Sequence, residues 1–358
     1  MQKKIAIACA IGALCSAVHA QSTVSVFGVL DLSLVNARAT GNGSITAVNP
    51  DGNSSNRLGF RGEEDLGGGM KASFFIEAAV NPDTGAGGGT SLDNKATANS
   101  GGLTLARRST VALSGSFGEI RLGRDYTPTF INLTPAAHPI GTNGVGSSAQ
   151  LFFPVAAGGT TPRTNTRASN ALNYLSPEIG GFSANVMVAV GEQPSTPAAT
   201  KNDGNYIGGR VAFRSGPISI SGATGKTKYA TGDYTQSNMG LVYRVGDARL
   251  YYLWGENKVG VTKTTANMLG LQYVVSTLGD IRAAYTTLKA KGVANDASQI
   301  AVAYSYSLSK RTAVYTNYSV VDNKGNGTRF VVGGSGVPAV LTPGGNSSGF
   351  EVGLRTTF

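Results

Sequence analysis

GFEVGLRTTF, residues 349–358, decides how this chain is read. Apolar side chains fall at Phe350, Val352 and Leu354, polar ones at Glu351, Arg355 and Thr357, and the stretch closes on Phe358. A period of two is the period of a β-strand with one apolar and one polar face. Chain ends are ordinarily frayed and hydrophilic. A two-faced strand ending on an aromatic residue points instead to a segment that has to pair.

Moving outward from that stretch, the same alternation recurs. STVSVFGVLDLSLV places Val24, Val26, Leu30, Leu32 and Leu34 on one face and Ser25, Asp31 and Ser33 on the other. GFSANVMVAV, NMLGLQYVV and SQIAVAYSYS repeat the pattern, and no apolar stripe of helical period exceeds two turns. The spacing predicts sixteen strands near 23–37, 57–64, 70–80, 103–114, 118–124, 167–176, 182–190, 205–214, 218–227, 236–244, 248–258, 266–275, 281–288, 298–306, 312–321 and 348–358. Short turns such as DLGGG, SGP and VGD alternate with long loops rich in Gly, Ser, Thr, Asn and Pro, the longest at 125–166. Such a sheet has two unpaired edges and an apolar face with no helices to cover it. Closing it removes the edges, and lipid covers the face. The strand lengths suit this, because an apolar band of ~25 Å crossed at a ~40° tilt needs roughly 10 residues. The expected fold is all-β: a 16-stranded antiparallel up-and-down transmembrane barrel over 21–358. Its soluble rival is a multi-strand sandwich or propeller.

Composition agrees. Charged residues make up only 14% of 358 residues, and 50 are glycine, against ~25% charge and ~7% glycine in ordinary soluble chains. Residues 1–20 read as a signal peptide for export through the Sec pathway: MQKK is a basic lead, Ile5 to Leu14 an apolar centre, and VHA precedes a cut at Gln21. Both cysteines, Cys9 and Cys15, leave with it. Removing Lys3 and Lys4 leaves 28 basic against 20 acidic residues, a net +8. No later run of 18 apolar residues supports a spanning helix.

The motifs SVSVFGVLDLSL, NRLGFRGEEDLGGGMKASFFIE, LSGSFGEIRLGRDYTP, SNALNYLSPEIGGF and YSLSKRTAVYTNYSVV resemble the trimeric general porins of Gram-negative outer membranes, in the form common in beta-proteobacteria. The likeness runs over essentially the whole mature chain. It implies a multi-pass barrel of the outer membrane that passes small hydrophilic solutes, with the third loop, here 125–166, folded into the lumen as a constriction. It further implies a homotrimer, contact with outer-membrane lipid and lipopolysaccharide, and recognition of Phe358 by the barrel-assembly machinery. No cofactor or metal is expected.

A sixteen-stranded barrel is wide enough for water, so what passes depends on its narrowest ring. In NRLGFRG, outward Leu58 and Phe60 send Arg57 and Arg61 inward. By resemblance, Arg57 belongs to a basic cluster facing the third loop, with Arg107 and Arg167 at the matching positions. Adjacent strand residues point oppositely, so only one of Arg107 and Arg108 is expected in the lumen. The family match points to Arg107, outward Val111 and Leu113 point to Arg108, and the choice stays open. Further candidates for lumen charge are Lys71, Arg121, Arg163 and His138. The competing reading pairs the arginines structurally with Glu63, Glu64, Asp65 or Glu77. The family's usual acids on the third loop are missing, since there is no Asp or Glu between Tyr126 and Pro177. The expected pore is therefore anion-selective. The alternatives are a specific channel for phosphate or organic acids, or a barrel adhesin or enzyme.

Other motifs carry less. SGATGKT has two residues between Gly222 and Gly225 where a phosphate loop has four, and DLGGGMK lacks the helix of a dinucleotide site. His138 is the one histidine left after export, without a nucleophile motif beside it, so neither a His-rich metal site nor a triad is expected. Without Lys/Arg runs the positive charge does not point to nucleic acid.

Overall fold

Alternation becomes pairing in the computed structural model, which describes residues 23–88, 94, 102–134, 137–153, 163–291, 295–334 and 336–358. The strands are β1 (Thr23–Ala39), β2 (Gly43–Pro50), β3 (Arg57–Gly67), β4 (Met70–Asn81), β5 (Ala86–Gly87), β6 (Arg108–Gly115), β7 (Gly118–Tyr126), β8 (Arg167–Leu175), β9 (Phe182–Ala189) and β10 (Tyr206–Ser215). They continue as β11 (Ile218–Thr227), β12 (Tyr234–Val245), β13 (Ala248–Val259), β14 (Thr262–Val274), β15 (Gly279–Lys291), β16 (Ala297–Ser307), β17 (Thr312–Asn323) and β18 (Asn346–Thr357). Leaving out β2 and β5, each strand pairs antiparallel with the next, and β1 pairs with both β3 and β18. Sixteen strands thus close a ring with no free edge.

The seam is the stretch quoted above. Asp31 lies opposite Arg355, Leu34 opposite Val352, and Val35 opposite Glu351. Phe350, Val352 and Leu354 are about half exposed, whereas Glu351 is buried. Phe358 accepts a hydrogen bond from Gly28 N at 3.0 Å and returns one to Gly28 O at 3.2 Å. A Cβ at position 28 would stand 2.3 Å from Cζ of the Phe358 ring, so glycine there leaves room for the closing aromatic.

The outer wall carries Val24, Leu30, Leu34, Val111, Leu122, Val186, Val211, Leu269 and Ile300, all at least 40% exposed. Such a continuous apolar face has to be covered by something other than water. The packed core lies inside the barrel. Leu133, Ala137, Ile140, Val145, Leu151 and Phe152 of the third loop pack on inward-facing Leu253, Met268, Leu288 and Ala301 of the wall.

Several boundaries differ from the sequence reading. The stretch 38–56 is not one long loop: β1 runs to Ala39, a tight turn follows, and β2 returns along Leu32–Ala39. Residues 51–56 then break the second barrel strand, which resumes as β3. Likewise β13 and β14 are joined by Gly260 and Val261 alone, not by a loop over 259–265. In the first place adjacent Ala47 and Val48 break the alternation, and in the second pairing continues into polar sequence. The strand expected from 103 begins at Arg108, and the third connection spans 127–166 between β7 and β8. The expected signal peptide, residues 1–20, and residues 154–162 of the third loop lie outside the described residues.

Candidate functional site

The third loop starts with a short helix, α1 (Pro128–Ile131), and runs around the inner wall from β10 to β18. Asn132 bonds Asn238 at 2.9 Å, and Phe152 O accepts from Asn257 at 2.8 Å. Ser148 accepts from Thr286 at 2.8 Å, and Ser147 O accepts from Gln299 at 3.1 Å. Val145 donates its N–H to Glu351 Oε1 at 3.0 Å. Beyond that point the loop reaches the break in the second strand, where Ser55 bonds Asn143 at 2.9 Å. Gly144 has φ +68°, and a Cβ on it would stand 2.0 Å from Gly52 O, so glycine is required for this contact. Among the described residues the loop therefore leans on the β10–β18 half of the wall, with its tip against the strand break at 51–56.

The β3–β8 half of the wall is basic. Arg57 begins β3, Arg167 begins β8, and Arg107 sits just ahead of β6. Glu77 of β4 ties two of them together: Arg107 Nε donates to its Oε1 at 2.6 Å, and Arg57 Nη1 lies 3.8 Å from its Oε2. The Tyr126 hydroxyl accepts from both Arg107 and Arg167, each at 2.8 Å. Arg167 also donates to Arg107 O at 2.7 Å, with its guanidinium 4.4 Å from the Tyr126 ring centroid. Arg57 is further held by Ser55 O and Ser54 Oγ in the strand break. The three arginines of the sequence reading thus form one linked group. Arg57 keeps 25% of its side chain exposed and Arg107 only 11%.

Both Arg107 and Arg108 turn to the lumen side, against the expectation that only one could. Strict alternation starts at Arg108, which shares the inward face of Glu77. Arg107 precedes the strand, and its side chain is free to follow Glu77. Arg108 lies 3.7 Å from Asp125 and stacks on Phe75 at 4.2 Å. Arg61 lies over Phe27 at 5.5 Å, and Phe27 packs on Phe75 at 5.0 Å.

The other candidates are placed differently. Lys71 pairs with Glu63 at 2.6 Å, both half exposed, beside the short turn that joins β3 and β4 and away from the trio. Arg121 is matched by Glu119 and Asp125 at 2.6 and 3.0 Å. Arg163 opens a 3₁₀ turn, Arg163–Asn165, and its side chain lies outside the described residues. His138 is not a lumen charge. It is 1% exposed, with Nε2 2.7 Å from Ser148 Oγ and Nδ1 accepting from Gly141 N at 3.0 Å. Burial pushes its pKa down to about 4, so the ring is neutral. Sequence reasoning missed Tyr126 as the joint of the trio and the strand break that seats Arg57. The described residues hold no group of three or more His, Cys, Asp or Glu able to bind a metal.

A closed sixteen-stranded barrel with an apolar outside, a polar inside and an infolded loop is a membrane channel. The chain belongs to the Gram-negative porin family, whose model matches residues 6–326. It is 36% identical to outer membrane porin protein 32 of Delftia acidovorans, over 99% of this chain and all of that one. An anion-selective porin from Comamonas acidovorans superposes with a TM-score of 0.81 at 33% identity, covering 94% of this chain and all of that one. OmpT of Vibrio cholerae in its trimer form, at 14% identity and a TM-score of 0.58 over 94% and 99% of the two chains, shares the fold. The protein is thus an outer-membrane porin, a channel and not an enzyme.

Proposed function

We propose that this porin is a water-filled diffusion channel selective for small anions, and that Arg57, Arg107 and Arg167 set the selectivity. One observation carries the reading. The three guanidiniums form a single linked group in which Glu77 is the one ion-pairing carboxylate among the described residues, with Asp51 close enough to Arg107 to feel its charge, and they face a loop with no Asp or Glu over 127–166. A monoanion ~4 Å from one arginine gains about 1 kcal/mol in water-like dielectric and about 4 kcal/mol at an effective dielectric constant of ~20. Three such groups enrich anions, while the wet lumen keeps each contact weak enough for release. Arg57, the more exposed of the two Glu77-bound residues, meets the ion, and Arg107 acts through its field. The anion selectivity of the Comamonas porin supports the same reading. The working form is a homotrimer in outer-membrane lipid and lipopolysaccharide, exported by Sec after loss of residues 1–20 and assembled through recognition of Phe358. The test is the reversal potential of the reconstituted channel in a KCl gradient. Chloride preference is expected, shrinking toward 1 M salt as the Debye length falls to ~3 Å; cation preference would sink the proposal.

A further inference from the structure

Away from the constriction, a second basic group lines the lumen at the end of the barrel where the short turns lie. Arg214 is the last residue but one of β10 and Arg244 of β12, while Arg249 is the second residue of β13. With Ser219, Val242 and Tyr251 they line one cavity of about 300 Å³. Alternation puts them inward. Arg214 shares a face with buried Tyr206 and Ala212, Arg244 with Gln236 and Asn238, and Arg249 with Tyr251 and Leu253. All three are exposed.

The group holds no salt bridge among the described residues, although Asp247 sits in the turn between Arg244 and Arg249. Arg244 and Arg249 are direct cross-strand partners, an arrangement in which like charges repel and destabilise the ladder. Among the described residues no carboxylate forms an ion pair with any of the three. Other inward cations near this rim are matched: Arg282 by Asp280, Arg121 by Glu119, Lys71 by Glu63. Above Arg214 on the same face of β10, Arg210 donates to Asn132 of the third loop at 3.0 Å. A column of positive charge therefore runs from the constriction loop to the periplasmic mouth.

We propose that Arg214, Arg244 and Arg249 form a periplasmic binding station for small divalent oxyanions of the sulfate or phosphate kind. Three guanidiniums converging on one wet cavity suit a dianion, whose several oxygens can accept from more than one fork at once. Repulsion between Arg244 and Arg249 is relieved when the anion is present. Exposure keeps the affinity low, as a transit site requires. The inference builds on the anion-channel reading, and a different measurement tests it: chloride preference in plain KCl reads the constriction, whereas sulfate block reads this station.

The experiment adds sulfate to one side of a reconstituted channel carrying chloride current. Sulfate on the periplasmic side is expected to block at a lower concentration than sulfate on the external side. A dianion ~5 Å from one arginine in water-like dielectric is favoured about tenfold. R214Q/R244Q/R249Q is therefore expected to raise the half-blocking periplasmic concentration at least tenfold, and R214K/R244K/R249K to restore most of the block. If the triple glutamine variant fails to insert, R249Q alone, at an exposed rim position, is expected to weaken block at least threefold. Equal block from both sides of the unmodified channel, or glutamine variants that block like it, would overturn the proposal.

Discussion

Glu77→Gln isolates what the arginine trio contributes, because it removes the carboxylate bonded to Arg107 and adjacent to Arg57 while nearly keeping its shape. The amide oxygen can still accept from Arg107, whose side chain is only 11% exposed, so the guanidinium is not stranded. What changes is the field. For an ion passing ~6 Å from the lost charge, the interaction in water-like dielectric is about 0.7 kcal/mol, reduced to about 0.4 kcal/mol by 0.1 M salt. The change has opposite sign for anion and cation. Their permeability ratio should therefore move by about fourfold toward anions at 0.1 M, and by less than about 1.5-fold at 1 M. Reversal potentials across a KCl gradient at the two salt levels read this directly. A shift toward cations, or the same shift at both salt levels, would refute the assignment of selectivity to this cluster.

Three further outcomes follow from the geometry. Gly28→Val puts a Cβ where the ring of Phe358 and Arg57 O now stand, 2.3 and 2.9 Å away; outer-membrane abundance should fall, while channels that do insert keep near-normal conductance. Glu351→Ala removes the shared acceptor of Val145 N–H, Ser33 and Asn317; Ser33 and Asn317 keep Asn49 O and Gly52 O, so the cost is roughly 1–3 kcal/mol for the stranded Val145 N–H, and single-channel records should show a larger and noisier conductance. His138 has its pKa lowered from 6.5 to about 4 by burial against Ser148. The packed loop binds fewer protons than the released one, so its hold is intact above pH 6.5 and weakens as pH falls toward 4, by about 3 kcal/mol in total. Protease cutting of the third loop should rise between pH 7.5 and 4.5, and His138→Gln should flatten that dependence.

Most of the barrel was legible because lipid on one side and water on the other impose a period of two on each crossing strand. The reading failed where that contrast ends. Gly43–Pro50 is short and breaks its alternation at adjacent Ala47 and Val48, and the extensions around Gly260 are polar, so their backbone pairing leaves no alternating trace. Arg57 could be oriented from Leu58 and Phe60, its strand neighbours. Arg107 could not, because it precedes the strand whose alternation would have placed it. His138 was read as a lumen charge because its partner Ser148 comes from a fold of the loop that no local pattern records. The inward direction of Arg244 was readable from Gln236 and Asn238, but its meeting with Arg249 and Arg214 needed the register of four strands.

The break at residues 51–56 also bears on the order of events in assembly. The third loop is held at its far end by Ser55 and Gly52 from the second barrel strand and by Glu351 from the last. Glu351 and Val145 are 206 residues apart, so this contact waits for the last strand to be in place. A cylinder left open at the seam lacks this joint hold on the far end of the loop, while the loop's bonds to β12, β13, β15 and β16 remain. Sealing the wall and fixing the far end of the third loop are thereby coupled.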